Sequence, residues 1–194
     1  KKSFLGKIIS IDKETKDYEL ISYGHRNPQG LFYNSDSKII MNTEHGPKGG
    51  DEVNFNFLDE DRQKNFGWPI SSYGTPYPGH EERFKLNGWM QRSHRENGFI
   101  EPIKQFTPSI GISELFLVQN KNDKKINHLF VSSLRAGSIY VLTIDEAFKK
   151  VLDEDRLYFP NKRIRDLKYD KKNNQFLFLS EYTPSIAVLK KMTK

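Results

Sequence analysis

Two loops rich in glycine, proline and charge contain the residues best suited to chemistry. The first loop reads GHRNPQGL at residues 24–31, and the second reads EHGPKGGDEVN at residues 44–54. Between them the apolar stretch KIIMNT, residues 38–43, predicts a strand that keeps both loops near its ends. One end of a sheet is therefore expected to gather these side chains: Arg26, Asn27, Glu44, Asp51 and Glu52. A cation and acids beside Gly/Pro-shaped backbone carbonyls indicate a binding site and not a core.

The charge balance constrains the class of ligand. The chain has 31 Lys and Arg against 25 Asp and Glu, which gives a formal net charge of +6. That balance suits an anionic ligand or partner. The two signs are interspersed along the chain, however, so the sequence does not favour a nucleic-acid footprint.

Composition also limits the compartment and the kind of metal site. Cysteine is absent, which excludes disulfides and thiolate metal sites and is compatible with either the cytoplasm or the periplasm. No apolar run approaches the roughly 18 residues that a membrane-spanning helix needs. The chain begins KKS, without methionine or a signal-peptide pattern, so we expect either a processed product or a fragment.

Short alternating stretches predict many strands, and helical periodicity over twelve or more residues appears nowhere. The expected strands are residues 6–12, 18–23, 31–33, 38–43, 53–58, 112–119, 128–134, 138–144, 163–169, 175–180 and 185–189. Residues 135–137 predict the turn of a hairpin. Residues 145–153 have helical spacing and are expected to form one or two turns of helix, and residues 59–64 either a helical turn or a loop.

A repeat organises these strands. LFYN, a polar turn and KIIMNTE at residues 31–44 match LKYD, a polar turn and FLFLSE at residues 167–181. Arginine precedes each unit: Arg26 in the first, Arg163 and Arg165 in the second. Units of roughly 40 to 50 residues made of short strands predict an all-β fold, a β-propeller with about three to four blades in this chain. The alternative is a generic β-sandwich with incidental arginines.

The glycine- and proline-rich motifs, with NFGWP at residues 65–69 and RIRD at residues 163–166, resemble the soluble quinoprotein glucose/sorbosone dehydrogenases, also called aldose sugar dehydrogenases. The resemblance covers most of the chain in the same order. It implies a six-bladed β-propeller that binds pyrroloquinoline quinone (PQQ) and calcium and oxidises the C1 hydroxyl of an aldose to the lactone. It also implies a periplasmic or secreted protein.

The resemblance assigns the quinone to a set of polar side chains. PQQ carries three carboxylates, and the arginine fork suits a carboxylate. The residues that match the family's quinone-binding positions are Arg26, Asn27, Arg163 and Arg165, and more loosely Arg135. The alternative for each arginine is an ion pair at the surface or between blades.

The resemblance likewise implies two calcium sites. Calcium takes oxygen ligands, backbone carbonyls included. The carbonyls of Gly46 and Pro47 match those that hold the calcium in contact with the quinone. Glu52, with the backbone of Phe66, matches the ligands of a second, structural calcium. His25 and His45 flank the motifs, and we expect them to pack or to support other residues and not to bind metal.

The chain also departs from the family pattern. The general-base histidine of the family belongs to a motif that is absent here, so no catalytic residue is assigned and the isolated chain is expected to be inactive. We expect residues 1–194 to be the C-terminal part of a single propeller domain, with a long loop insertion around residues 70–108. The expected partners are an aldose, an external electron acceptor and the missing N-terminal half, with no nucleic acid and no membrane span.

Two other functions are compatible with the residues. One is a binding module of the same lineage that has lost its chemistry and recognises a protein or a glycan. The other is a calcium-dependent lactonase-type propeller, which should place acidic and asparagine ligands on several inner strands.

Overall fold

The computed structural model describes residues 3–59, 64–80, 93–119, 126–182 and 184–190. In these ranges the only helical segment is a 3-10 turn, Arg95–Asn97, and the other regular elements are strands. No helix found there is long and apolar enough to cross a membrane. The chain divides into two compact units: Lys1–Pro28 with Tyr33–Ser109, and Gln29–Phe32 with Ile110–Lys194.

The first unit is built on two sheets. Its strands are β1 (Lys7–Ile11), β2 (Tyr18–Tyr23), β3 (Pro28–Asn34, of which residues 29–32 belong to the second unit), β4 (Ile39–Glu44), β5 (Asp51–Phe57), β6 (Lys64–Asn65) and β7 (Lys104–Phe106). One sheet has the order β1-β2-β6 and the other β3-β4-β5-β7. Strands β1 and β2 pair antiparallel, as do β4 with β5 and β5 with β7, whereas β2 and β6 run parallel.

The second unit also contains two sheets, both antiparallel. Its strands are β8 (Ile112–Gln119), β9 (Ile126–Ser133), β10 (Ser138–Asp145), β11 (Val151–Tyr158), β12 (Ile164–Asp170), β13 (Gln175–Ser180) and β14 (Ser185–Lys190). Their orders are β11-β10-β9-β8 and β12-β13-β14. One cluster of its buried apolar side chains contains Ile139, Ile164, Leu167, Phe176 and Phe178.

The repeat read from the sequence is present as a repeated meander. Strand β4 is the second strand of β3-β4-β5, and β13 is the second strand of β12-β13-β14, so the two expected strands occupy equivalent positions. The hairpin around residues 135–137 joins β9 to β10. Four sheets in the described part of the chain agree with the three to four blades expected.

The two faces of the β4–β5 pair differ in polarity. Alternate residues point to opposite faces of a strand, and Met41 pairs with Phe55 on a buried apolar face. On the other face Asn42 pairs with Asn54 and Glu44 pairs with Glu52, and all four are buried. Buried amides and carboxylates are costly unless they are paired, so this face is organised for binding and not only for packing.

The helix expected over residues 145–153 is wrong. The chain makes a turn after Asp145 and then enters β11. The Asp145 carboxylate accepts hydrogen bonds from the backbone N–H groups of Lys149 and Lys150 at 2.7 and 2.8 Å. Phe148 has a left-handed φ of 57° and is buried, so its apolar side chain anchors the turn. The apolar residues with helical spacing therefore belong to two different elements. Phe148 lies in the turn, and Val151 and Leu152 lie in the edge strand β11.

Two expectations fall partly or wholly outside the described residues. Residues 60–63, within the segment expected to be a helical turn or a loop, are not described, and neither are residues 81–92 of the long insertion. The described parts of the insertion include β7 and the 3-10 turn.

Candidate functional site

The site in the first unit is built on Glu44, the last residue of β4. Its carboxylate is buried and accepts two hydrogen bonds from different segments. Oε2 accepts the backbone N–H of Arg26 at 2.9 Å, and Oε1 accepts Nδ2 of Asn54 at 2.7 Å. Gly46 and Pro47 come two and three residues after Glu44, beyond the end of β4. Proline has no backbone N–H and cannot donate a hydrogen bond to a neighbouring strand. The carboxylate therefore joins the loop after β2 to the end of the β4–β5 pair.

His45 forms a second connection to the same loop through its backbone. Its carbonyl accepts Nη1 of Arg26 at 3.0 Å, and its N–H donates to the Asn27 carbonyl at 3.1 Å. The Arg26 guanidinium also lies 5.4 Å from the ring centroid of Trp68, in cation–π range. Arg26, predicted to bind the quinone, is thus held at its backbone and at its guanidinium.

In the turn that contains Gly46 and Pro47, backbone carbonyl oxygens lie close to Gly46. A Cβ on Gly46 would overlap with the carbonyl oxygens of Gly49 and Gly50, so only glycine fits there. The Gly46 N–H donates to Oδ1 of Asp51 at 3.3 Å, and the other oxygen of this buried carboxylate accepts Ser109 Oγ at 2.7 Å. The Asp51 carboxylate therefore stabilises the turn that contains Gly46 and Pro47.

Two carboxylates and two histidines meet beside that turn. Oε1 of Glu52 lies 3.4 Å from Nε2 of His94, and Oε1 of Glu44 lies 3.5 Å from Nδ1 of His25. Asn54 Nδ2 approaches Oε2 of Glu52 at 3.3 Å, so one amide bridges both acids. The ring of His25 stacks on Phe66 at a centroid distance of 4.6 Å and bonds Ser22 Oγ at 2.8 Å.

Burial and neighbouring charges shift the pKa values of Glu52 and His94. Burial, together with the charge of Glu44, raises the pKa of Glu52 to about 7, against the opposing effect of the nearby His94 ring. Burial lowers the pKa of His94, but the close Glu52 carboxylate outweighs burial, so that pKa is raised overall. Two acids that share one amide in a desolvated site would be stabilised by a cation.

A small, partly open cleft lies beside these residues. Its lining is Arg26, Glu44, His45, Gly46, Glu52, Phe66, Trp68, Ser71, Ser72 and His94. The structure therefore brings together four residues that the sequence assigned to the quinone or to calcium, namely Arg26, Gly46, Glu52 and Phe66. Two further assigned residues are chain neighbours of the lining: Asn27 is exposed, and Pro47 is buried.

The donors at this cleft fit a hard cation such as calcium. Calcium prefers oxygen ligands and accepts backbone carbonyls, and the cleft is lined by the carboxylates of Glu44 and Glu52 and by Gly46. Within the described ranges no group of three or more His, Cys, Asp and Glu side chains could hold a metal ion. A metal bound here would consequently depend on backbone oxygens, as the resemblance implies.

The remaining predicted arginines lie in the second unit. Arg163 Nε donates to Glu181 Oε2 at 2.9 Å, and Arg165 pairs with the other oxygen of the same carboxylate. The hydrogen bond from Arg163 is the main cause that lowers the pKa of Glu181. Arg163 also lies over the Tyr182 ring at 5.5 Å. Arg135 has an exposed side chain at the β9–β10 turn, and its N–H donates to the Ile110 carbonyl at 3.0 Å.

Sequence reasoning missed three contributors. His94 lies in a loop that no motif identified, and it stacks on Tyr73 with 5.2 Å between ring centroids. Asn54 was visible as an amide two residues after Glu52, on the same strand face, which is the one signal that could have found it. Trp68 belongs to NFGWP, but its place beside Arg26 requires the fold.

Comparisons with known proteins agree with the resemblance. The model of the family described as Glucose / Sorbosone dehydrogenase matches residues 9–187. The aldose sugar dehydrogenase YliI of Escherichia coli (strain K12) is 31% identical over 152 residues, covering 77% of this chain and 38% of that protein. Quinoprotein glucose dehydrogenase B of Acinetobacter calcoaceticus is 31% identical over 78 residues, covering 34% of this chain and 15% of that protein.

Solved structures share the fold. A glucose dehydrogenase matches with a TM-score of 0.77 at 27% identity, covering 97% of this chain and 55% of that chain. The PQQ-bound aldose sugar dehydrogenase of Streptomyces coelicolor matches with a TM-score of 0.66 at 18% identity, covering 97% of this chain and 52% of that chain. The chain thus spans about half the length of these structures. With the four sheets, these likenesses confirm the expected fold class: all-β, with about three to four blades of a β-propeller.

Proposed function

Since this chain belongs to the glucose/sorbosone dehydrogenase family, we propose that it is part of a PQQ- and calcium-dependent oxidoreductase that oxidises the C1 hydroxyl of an aldose to the lactone. The observation that carries this proposal is the anchored Arg26. Its guanidinium lines a cleft together with Gly46 and Glu52, and it is fixed there by the His45 carbonyl at 3.0 Å. An anion-binding fork beside oxygen donors for a cation suits a polycarboxylate cofactor bound with its metal.

The proposed roles follow from the chemistry of each group. Arg26 and Asn27 would bind carboxylate and carbonyl oxygens of the cofactor, and Arg163, Arg165 and Arg135 keep the quinone-binding roles that the family resemblance assigns to them. The paired arginines would do so while Glu181 holds them in place, because that carboxylate leaves several of their N–H donors for a ligand. The quinone, when bound, supplies the hydride acceptor, and calcium supplies the Lewis acidity that polarises it.

The oxygen ligands divide into two sets. The carbonyls of Gly46 and Pro47 would hold one calcium ion, and Glu52 with the backbone of Phe66 would hold a second, structural calcium. Phe66 is fixed for this role by its stacking on His25 and by the hydrogen bond from its N–H to the Tyr23 carbonyl at 2.9 Å. The general-base histidine stays a prediction for another part of the protein.

The setting of the reaction is proposed on the same grounds. We expect a periplasmic or secreted protein that passes electrons from an aldose to an external acceptor, with an N-terminal half of the propeller completing the site.

Equilibrium binding tests the proposal. Full-length protein freed of metal and cofactor should bind PQQ in the presence of calcium and should bind it weakly with a chelator, while nicotinamide dinucleotides should not bind. Failure of PQQ to bind with calcium present would overturn the proposal. It would favour the alternative of a binding module that retains the scaffold without the chemistry.

A further inference from the structure

We infer that Glu44 is a positioning residue for the cofactor site, and that it acts by holding the backbone of Arg26 through a hydrogen bond. The inference rests on the proposed function of Arg26 as a quinone ligand. It concerns a residue that sequence motifs and the family resemblance leave without a role.

The geometry separates Glu44 from a merely structural acid. Its Oε2 accepts the N–H of Arg26, a residue 18 positions earlier in the chain, at 2.9 Å. The carboxylate itself is oriented by Asn54 Nδ2 at 2.7 Å, and Asn54 lies directly opposite Asn42 in the β4–β5 ladder. A rigid strand pair therefore fixes the acceptor, and the acceptor fixes the loop.

The next residue completes a clamp. His45 accepts from the Arg26 guanidinium and donates to the Asn27 carbonyl. Residues 44 and 45 thus make three hydrogen bonds to residues 26 and 27, and Gly46 and Pro47 follow at once. The clamp consequently fixes the spacing between the proposed quinone ligands and the proposed calcium carbonyls.

The burial of Glu44 increases the cost of losing its hydrogen bond with the Arg26 N–H. Glu44 has a relative exposure of 4%, so water cannot readily replace the carboxylate as the acceptor for the Arg26 N–H. An unmade hydrogen bond of a buried donor costs more than one at the surface. Loss of the carboxylate should therefore release the loop locally, because β4 and β5 remain paired through their backbones.

Two variants isolate the acceptor from the charge. Glu44→Ala removes the acceptor, whereas Glu44→Gln keeps an oxygen for the Arg26 N–H. Glu44→Asp keeps the charge, but its side chain is one methylene too short to reach the Arg26 N–H. It replaces Glu44→Ala in the test if Glu44→Ala does not fold. Glu19→Ala, at an exposed position of β2, is the control for loss of a glutamate.

The test combines amide exchange of the metal-free and cofactor-free protein with PQQ titration of the calcium-loaded protein. In Glu44→Ala the Arg26 amide should exchange at least about tenfold faster, while the Val53 amide is unchanged, and PQQ affinity should fall about tenfold. Glu44→Gln should stay within about threefold of wild type in both measurements. In an Arg26→Ala background Glu44→Ala should cause a smaller further loss of affinity, because most of its effect passes through Arg26 and the remainder through Asn27 in the same loop.

Each other outcome overturns the inference or the proposed function separately. Unchanged Arg26 exchange in Glu44→Ala, equal losses in Glu44→Gln and Glu44→Ala, or a full further loss in the Arg26→Ala background would each overturn the positioning role. If wild-type protein binds no PQQ, the proposed function fails, and the exchange measurement alone decides whether Glu44 positions Arg26.

Discussion

The guanidinium of Arg26 donates to the carbonyl of His45 across 3.0 Å, one residue before Gly46. A side chain proposed to hold the quinone is thereby bonded to the backbone that leads into the proposed calcium ligands. Ligand binding at either group is expected to depend on the other, since both share one short segment of chain.

Substitution of Arg26 should weaken the cofactor complex. Arg26→Ala removes a charge-assisted hydrogen-bond donor and should cost about 1.5–3 kcal/mol of PQQ binding free energy. The matched control is Arg156→Ala, because Arg156 also lies over aromatic rings, 5.5 Å from Tyr140, and donates to the Ala136 carbonyl. Titration of both variants with PQQ in calcium gives the comparison. Equal affinities for wild type and Arg26→Ala would make Arg26 a structural residue.

Calcium should stabilise the fold through Glu52. Addition of calcium to metal-free wild-type protein should raise the midpoint of thermal unfolding, since a ligand that binds only the folded state stabilises it. Glu52→Gln removes the carboxylate and should abolish most of that rise. Asp59→Asn changes an exposed acid paired with Lys38 and should leave the rise intact. A full calcium-dependent rise in Glu52→Gln would remove Glu52 from the ligand set.

Without calcium, the same carboxylate should make the fold pH-dependent. Burial and Glu44 raise the pKa of Glu52 to about 7, above its ordinary value of 4.5, and the pKa of His94 is raised as well. The folded state then binds more protons than the unfolded state, so the stability is present at low pH and is lost as pH rises towards about 7.

Urea unfolding in chelator measures this effect. The free energy of unfolding of wild type should fall between about pH 5 and pH 8, and Glu52→Gln should reduce the fall by an amount on the order of 2 kcal/mol. Parallel pH profiles for the two proteins would show that Glu52 titrates normally.

Gly46 should tolerate no side chain. In Gly46→Ala the new Cβ would overlap with the carbonyl oxygens of Gly49 and Gly50, so the turn must open at a cost of about 1–3 kcal/mol. Calcium affinity should fall with it, because the proposed ligands, the carbonyls of Gly46 and Pro47, belong to the same turn. Gly98→Ala is the comparison, since its Cβ would meet nothing within 4 Å and reports only the strain of a positive φ of 73°. A Gly46→Ala protein with native stability and calcium affinity would contradict this account of the turn.

The short strands could be predicted from the sequence because their alternation and polar turns are local signals. The polar face that carries the site was less visible. Asn42 and Asn54 look like solvent-facing residues of an exposed strand, yet both are fully buried. Only the cross-strand register and the segments covering that face reveal Asn54 as the support of Glu44 and Glu52, with Asn42 opposite it.

The other misses have two causes, a side chain that closes a local turn and contacts between distant segments. Phe148 suggested a helix because its spacing to Val151 is helical, whereas the side chain of Asp145 closes a turn on backbone N–H groups. His94 approaches Glu52 from 42 positions along the chain, a pairing that no local pattern encodes. The arginines of RIRD were identified from a motif, but their shared partner Glu181 depends on the pairing of β12 with β13.

The most direct measurement is reconstitution of activity in the full-length protein freed of metal and cofactor. PQQ and calcium added together should produce dye reduction that depends on an aldose, whereas either one alone, or a nicotinamide dinucleotide, should produce none above background. Arg26→Ala should require a higher PQQ concentration for the same rate, and Arg156→Ala should not. Aldose-dependent dye reduction that is unaffected by PQQ and calcium, or its absence when both are bound, would contradict the account.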